Sequence, residues 1–345
     1  HRASDRRTWA GRVLLLLIGG LVFWGLVGTW GDEGVCAKVS EPRGNTEVVH
    51  GNIDPGWEAY SSFPIVDQLG GSIGGLAASE GLAYLGVGRR LEIWDRSGGK
   101  SPRRLGATEP LTEMVKEVLV SEDHAYAIGD HGLHVVDVCH PEQPEPVAEL
   151  PLDFHVAFAA IDGRRMVLAD WDSRIQILDI ARPREPTLVG TLEGGQQIES
   201  LAFTAGRLYI ATPLGLTIYD VSRPAKVAKI GELAIDHLVQ PVLAVRDGLA
   251  YLIRHRDLLI YDVSDAARLR LVGQMGVDGY YTRAVVSGVN LLLSGDAFDE
   301  RGVIHVLDVA DPASPRRAGV LATDGPYPRM AVDGSTLYGA STAGT

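Results

Sequence analysis

Apolar residues along this chain fall in short runs separated by polar turns, and the runs return at a fixed spacing. One run ends each time in Asp: LEIWD (Leu91–Asp95), LHVVD (Leu133–Asp137), IQILD (Ile175–Asp179), LTIYD (Leu216–Asp220), LLIYD (Leu258–Asp262) and IHVLD (Ile304–Asp308). Successive Asp residues lie 42, 42, 41, 42 and 46 positions apart, by subtraction of those numbers. A period of this length marks a repeat architecture.

Three further runs recur around it. A Pro-led strand reads FPIVDQL (Phe63–Leu69), SPRRLGA, PEPVAEL, EPTLVGT, KVAKIGE, LRLVGQM and PRRAGVL. A core strand reads LAYLGV (Leu82–Val87), HAYAIG, RMVLAD, RLYIAT, LAYLIR, NLLLSG and TLYGAS (Thr336–Ser341). Between them lies another apolar run, such as KEVLVS or ESLAFT, followed by a Gly-containing turn. Four β-type segments per repeat, with short turns and almost no helical period, predict four-stranded antiparallel sheets. Each repeat is then one blade of an all-β propeller.

The Pro-led and core strands occur seven times and the Asp phrase six. Seven blades are therefore expected, the last incomplete. Tyr84, Tyr126, Tyr209 and Tyr251 each stand 11 residues before their Asp, so the repeat of Tyr338 would place its Asp at about position 349. The lone leading strand Phe63–Leu69 is expected to dock beside the final blade and close the ring, which removes long exposed edges.

The N-terminal part reads differently. A basic flank over residues 1–12, with Arg2, Arg6, Arg7 and Arg12, precedes the uncharged stretch 13–30, VLLLLIGGLVFWGLVGTW, and Asp32 and Glu33 follow. This is the pattern of a transmembrane anchor or a signal segment, with the chain beyond Trp30 outside the cytoplasm. Val35-Cys36-Ala37 suits release, while the length of the apolar run suits retention as an anchor. Residues 31–62 read as a Gly- and Pro-bearing linker and 63–345 as the propeller. An exported chain is expected to be membrane-anchored, or secreted if the segment is cleaved, and its location would permit a disulfide between Cys36 and Cys139.

The formal charge of −12 repels phosphate backbones, so nucleic acid is an unfavourable partner. Two cysteines are too few for a four-thiolate zinc site.

The fuller Asp phrases LTIYDVSRP (Leu216–Pro224), LLIYDVSDA (Leu258–Ala266) and VIHVLDVADPASP (Val303–Pro315), with RLYIAT and LAYLIR before them, resemble the LVIVD repeat family. The resemblance covers roughly residues 63–345 and implies a β-propeller at a bacterial or archaeal surface. It brings no shared catalytic motif.

Candidate residues fall in three groups. Asp95, Asp137, Asp179, Asp220, Asp262 and Asp308 suit a turn, each accepting from backbone N–H groups about two residues on. One such Asp per blade is too far from the next to share an ion. Asp296, Asp299 and Glu300 sit in a hairpin lengthened by about five residues, since Leu292 to Asp308 spans 16 rather than 11. They could hold Ca²⁺, against the simpler reading of a solvated acidic loop. No other cofactor is implied; Asp130, His131 and His134, in the hairpin before the second Asp phrase, could ligate a metal, against the simpler reading of a Gly-containing turn like those of the other repeats. Finally, Lys116, His155, Gln197, Glu199, Tyr281, Arg283, Tyr327 and Arg329 stand near the start of the innermost strand of their repeats, where side chains can converge on a central channel. A slip of one residue would turn them to the other face.

The expected function is a non-catalytic binding or interaction scaffold at the cell surface, presenting loops to a protein or a surface polysaccharide. The alternative is a channel enzyme of the polysaccharide lyase or hydrolase class. It would use Lys116, Glu199, Arg283 or His155 as acid, base or anion clamp.

Overall fold

The structure, a computed structural model, describes residues 73–95, 102–193, 195–235, 238, 240–254, 256–277, 279–295, 302–323, 329–334 and 336–340. By contacts the chain divides into His1–Asn45 and Thr46–Thr345, and every described residue belongs to the second unit. The apolar stretch 13–30 and the strand expected at Phe63–Leu69 lie outside the described residues. Among those residues no helix is long and apolar enough to cross a membrane.

Six sheets have four antiparallel strands in sequence order. Blade 1 is β1 (Ile73–Ser79), β2 (Leu82–Val87), β3 (Arg90–Asp95) and β4 (Arg103–Ala107). Blade 2 is β5 (Glu117–Ser121), β6 (His124–Ile128), β7 (Gly132–Asp137) and β8 (Glu145–Pro151). Blade 3 is β9 (Phe158–Asp162), β10 (Arg165–Ala169), β11 (Arg174–Asp179) and β12 (Thr187–Glu193). Blade 4 is β13 (Ser200–Thr204), β14 (Arg207–Thr212), β15 (Gly215–Asp220) and β16 (Ala228–Ala234). Blade 5 is β17 (Val242–Arg246), β18 (Leu249–Arg254), β19 (Asp257–Asp262) and β20 (Arg270–Gly276). Blade 6 is β21 (Arg283–Ser287), β22 (Asn290–Gly295), β23 (Gly302–Asp308) and β24 (Arg316–Thr323). A two-stranded sheet, β25 (Arg329–Asp333) and β26 (Thr336–Ala340), begins a seventh. The molecule is a β-propeller with six full blades and one short one. Each blade opens on the apolar run and closes on the Pro-led strand.

Burial across a blade explains the sequence pattern. The second strand is almost wholly buried, as in Ala125–Ile128 and Met166–Ala169, because a neighbouring blade covers each of its faces. Alternation then divides its side chains between two seams. Tyr126 and Ile128 pack toward Met166 and Leu168 of blade 3, while Ala125 and Ala127 pack toward Leu91 and Ile93 of blade 1. Hence the run is continuously apolar. The fourth strand lies at the rim and is mostly exposed.

The seam between the last and first blades repeats this design. Tyr338 of blade 7 packs toward Ala83 and Leu85 of blade 1, as Tyr126 packs toward blade 3. The Gly81 N–H donates to Asp333 Oδ2 at 2.5 Å, the counterpart of Gly206 N–H to Asp162 Oδ2 at 2.9 Å between blades 3 and 4. β25 also touches both β21 and β1, so the inner strands form a ring.

Two small features recur at the outer edge. The Asp at the end of the third strand accepts from the N–H two residues on: Cys139 to Asp137, Ala181 to Asp179, Ser222 to Asp220, Ser264 to Asp262 and Ala310 to Asp308, all at 2.9–3.1 Å. The residues after Asp95 lie outside the described ones, and its carboxylate pairs with Arg103 at 3.9 Å. The turn so made approaches the fourth strand of the preceding blade. In blades 1, 3, 4 and 5 that strand carries Gly where it meets a bulge in the third, Gly106, Gly190, Gly231 and Gly273 facing Ile93, Ile177, Ile218 and Ile260, while blade 2 has Ala148 there. A Cβ on Gly190 would meet Pro224 O at 2.3 Å, and on Gly231 Ala266 O at 2.3 Å. Lack of space, not backbone angle, requires glycine here.

Gly231→Val is therefore expected to cost about 1–3 kcal/mol by overpacking a blade seam. Gly276→Ala, whose Cβ would make only an ordinary contact at 4.0 Å, should be nearly neutral. Denaturant titration measures both, and equal stability of the two variants would contradict the seam geometry. Asp220, Asp262 and Asp308 are held below the ordinary carboxylate value of 3.8, the first two chiefly by the Ser222 and Ser264 hydroxyls and the third by the Ala310 N–H. Their contribution is complete above that value and lost as pH falls through the folded-state values. Melting temperature should accordingly drop on the acid side, less steeply in Asp308→Asn.

Candidate functional site

In a meander of four strands the first strand starts on the same side of the blade as the hairpin between the second and third. The connections between blades arrive there too. That face carries the mouth of the central channel. Strand pairing places Gly75, Glu117, Phe158, Ser200, Val242, Arg283 and Arg329 at one level of the seven inner strands.

Three of these meet across the ring. Both guanidinium groups converge on one oxygen of Glu117: Arg283 Nη2 donates to Oε2 at 3.2 Å, and Arg329 Nη1 donates to the same atom. Arg329 Nη2 also donates to the Lys116 carbonyl at 2.8 Å. Glu117 is on blade 2 and Arg329 on blade 7, so their contact passes blade 1. There the equivalent residue is Gly75, where a Cβ would lie 2.7 Å from the Glu117 carbonyl carbon. Glycine lets the pair meet.

The network continues through Lys116. Its ammonium donates to Asp130 Oδ1 at 2.5 Å, and His155 Nε2 reaches the same oxygen at 2.7 Å. The His131 ring stands edge-on to His155, with centroids 5.9 Å apart, and its Nδ1 lies 3.2 Å from the Phe154 carbonyl. The Glu113 carboxylate accepts from the His131 N–H at 2.9 Å and fixes the hairpin. Glu117 and Arg329 side chains are each 23% exposed and Arg283 37%, so the triad is half-sheltered.

Electrostatics follow from these contacts. Burial raises the Glu117 pKa from its ordinary value, and Arg329 pulls the other way by charge and hydrogen bond. The Lys116 hydrogen bond leads in lowering that of Asp130, with the charges of Lys116, His155 and His131 adding to it. Burial lowers His134, whose Nε2 lies 3.0 Å from the Thr112 hydroxyl.

The other sequence candidates are placed differently. Gln197 is exposed, and the Glu199 N–H donates to Ala211 O. Tyr281 is buried beside Val242 and Leu291, with its hydroxyl 2.8 Å from His305 Nδ1. Tyr327, Asp296, Asp299 and Glu300 lie outside the described residues. Among the described residues no group of His, Cys, Asp and Glu is arranged to hold a metal ion. Cys36, the partner expected for Cys139, lies outside the described residues.

Comparison with known proteins fits the repeat and the ring. The LVIVD repeat model matches residues 114–147 and 164–193. The chain carries LVIVD repeats. No curated protein matches its sequence significantly. Similar solved structures include Saccharomyces cerevisiae Sqt1, at 10% identity and a TM-score of 0.58, covering 80% of this chain and 95% of that one. A chain of the Mitotic Checkpoint Complex is also similar, at 14% identity and a TM-score of 0.62, covering 86% and 96%. These likenesses concern the fold alone.

Within the first matched LVIVD repeat lie Lys116, Glu117, Asp130 and His131. Reasoning from sequence singled out Lys116 and passed over Glu117. The signal that would have found it is the pairing of Leu119 with Tyr126, which sets the start of β5 one residue later. In blade 3 the equivalent residue is Phe158, packed at 4.7 Å against the ring of Trp171 in the β10–β11 hairpin.

Glu117 is expected to titrate above an ordinary glutamate in a carbon-detected NMR experiment. Arg329→Gln should move it further up, because it removes the lowering influence. An unchanged or lowered value in that variant would contradict the geometry. A double-mutant cycle of Glu117→Gln and Arg329→Gln should give a coupling of about 1 kcal/mol, below that of a fully buried pair because water reaches the site.

Proposed function

We propose that this protein is a non-catalytic scaffold outside the cytoplasm, tethered or secreted, that binds a macromolecular partner through the channel-mouth face of its propeller. The observation that carries the reading is the distribution of exposed apolar side chains. Among the described residues Met114, Trp171, Leu214 and Tyr280 are exposed and belong to hairpins or connections on that face, while Leu188 and Leu271 lie on rim strands and Val289 alone in a hairpin of the opposite face. Trp, Tyr, Met and Arg are the residues enriched at protein interfaces. The placement outside the cytoplasm is supported by the basic flank, the apolar stretch 13–30 and the acidic residues after it.

Convergence of charged groups favours one second reading. Lys116, Asp130 and His155 meet, and Glu117 lies between two arginines, which is the kind of cluster a polysaccharide lyase or hydrolase would use. Against it, each carboxylate is already engaged by cations that hold it in place. Glu117→Gln separates the two readings on a panel of neutral and acidic polysaccharides. Turnover that is lost in this variant would establish the enzyme, and absence of turnover by the wild type supports the scaffold.

Intact cells exposed to a membrane-impermeant lysine label should give labelled protein, and labelling only after lysis would contradict the placement. A photo-crosslinker at position 171 should capture a discrete species that one at Val289, on the opposite face, does not. Capture equal at both positions would contradict the binding face.

A further inference from the structure

The scaffold reading leaves open what the charged mouth contributes, and the arrangement of its cations narrows the answer. Two guanidinium groups from different blades already point at one carboxylate oxygen, so their orientation is fixed before any partner arrives. Such preorganisation reduces the ordering cost of binding a further carboxylate at their outer edges. Arg283 is 37% exposed, and Lys116, next in sequence to Glu117 and 48% exposed, meets Asp130 together with His155, 49% exposed. The triad itself holds two guanidinium groups against one carboxylate, within a chain whose formal charge is −12. The triad therefore differs in sign from the average of the chain.

Beside it stands an apolar platform. Trp171, 48% exposed, leans edge-on over Phe158, which occupies the same level of the channel as Glu117, one blade further on. Trp and Arg together are the residue types that dominate binding energy at interfaces. A dense polyanion fits poorly, because most of its charges would face an acidic surface. A single carboxylate with apolar groups beside it matches both halves of the mouth.

We infer that the channel mouth receives a protein segment that presents one acidic side chain, or a chain-terminal carboxylate, flanked by apolar residues. Arg283 and Arg329 take the carboxylate, and Trp171 with Phe158 takes the flanking residues. Glu117 acts as the positioning residue that aims the guanidinium pair. The inference rests on the scaffold reading and deepens it.

The test pans a random peptide library, displayed with free and with blocked C-termini, on the full chain. The best sequences are then measured by fluorescence anisotropy. Enriched peptides should carry Asp, Glu or a free C-terminus next to apolar residues, and binding should weaken with salt. Arg283→Gln with Arg329→Gln should weaken them roughly tenfold or more, and Trp171→Ala by a similar factor, while Val289→Ala leaves them unchanged. Circular dichroism and melting confirm that each variant is folded. Peptides that depend on Trp171 but show no acidic preference and no response to the arginine variants would overturn the inference and leave the scaffold reading standing. Binding of polygalacturonate at this face in place of any peptide would overturn it in favour of a polysaccharide partner. No binding at the face by either probe would overturn both.

Discussion

The structure depends on one packing requirement: the second strand of the blade is apolar on both faces, so each blade needs a neighbour on each side. A four-stranded sheet with Leu208 and Ile210 on one face and Tyr209 and Ala211 on the other cannot bury both against a single partner. Stacking in a ring satisfies every blade at once, and a closed ring leaves no terminal blade with an apolar face to water. The glycines of the fourth strand follow from the same requirement, because they let the Asp turn of the next blade seat close to the outer edge. Side-chain hydrogen bonds of the Asp turns then fix how each third strand passes to its fourth.

Closure is also what assembles the site. Glu117 and its two arginines are 166 and 212 residues apart in sequence, and they meet only because blades 6 and 7 return to blades 1 and 2. Within a blade the starts of inner strands are unremarkable positions, half-buried and set by alternation. In the ring they face one another, so a chance of chemistry arises at a place no single repeat encodes. The Asp130 cluster is local by contrast, made from one hairpin and the connections that lead into blades 2 and 3.

Much of the fold was legible because the repeats state it several times. The Asp spacing, the continuously apolar second strand and the two-piece final repeat all have direct counterparts in six full blades and a short seventh. The site was legible only in part. Arg283 and Arg329 stand at the strand starts that the pattern indicates, yet Glu117 was missed, since the starts of β5 and β13 differ by one residue from a count made back from the core strand. Trp171 carried no periodic signal, because hairpin residues obey no alternation. Its meeting with Phe158 needs the tertiary arrangement of β9 and β10. Contacts across a ring cannot be read from local spacing at all.

The central claim is that the seventh blade packs on the first as any blade packs on the next. Spin labels at Glu80 and Gly334, in the first turns of blades 1 and 7, can be compared with labels at Ala205 and Gly163, at the same positions in blades 4 and 3. Pulsed electron resonance should give the same distance distribution for both pairs. A much longer distance between Glu80 and Gly334 would show an open array, contradicting the ring and the site built across it.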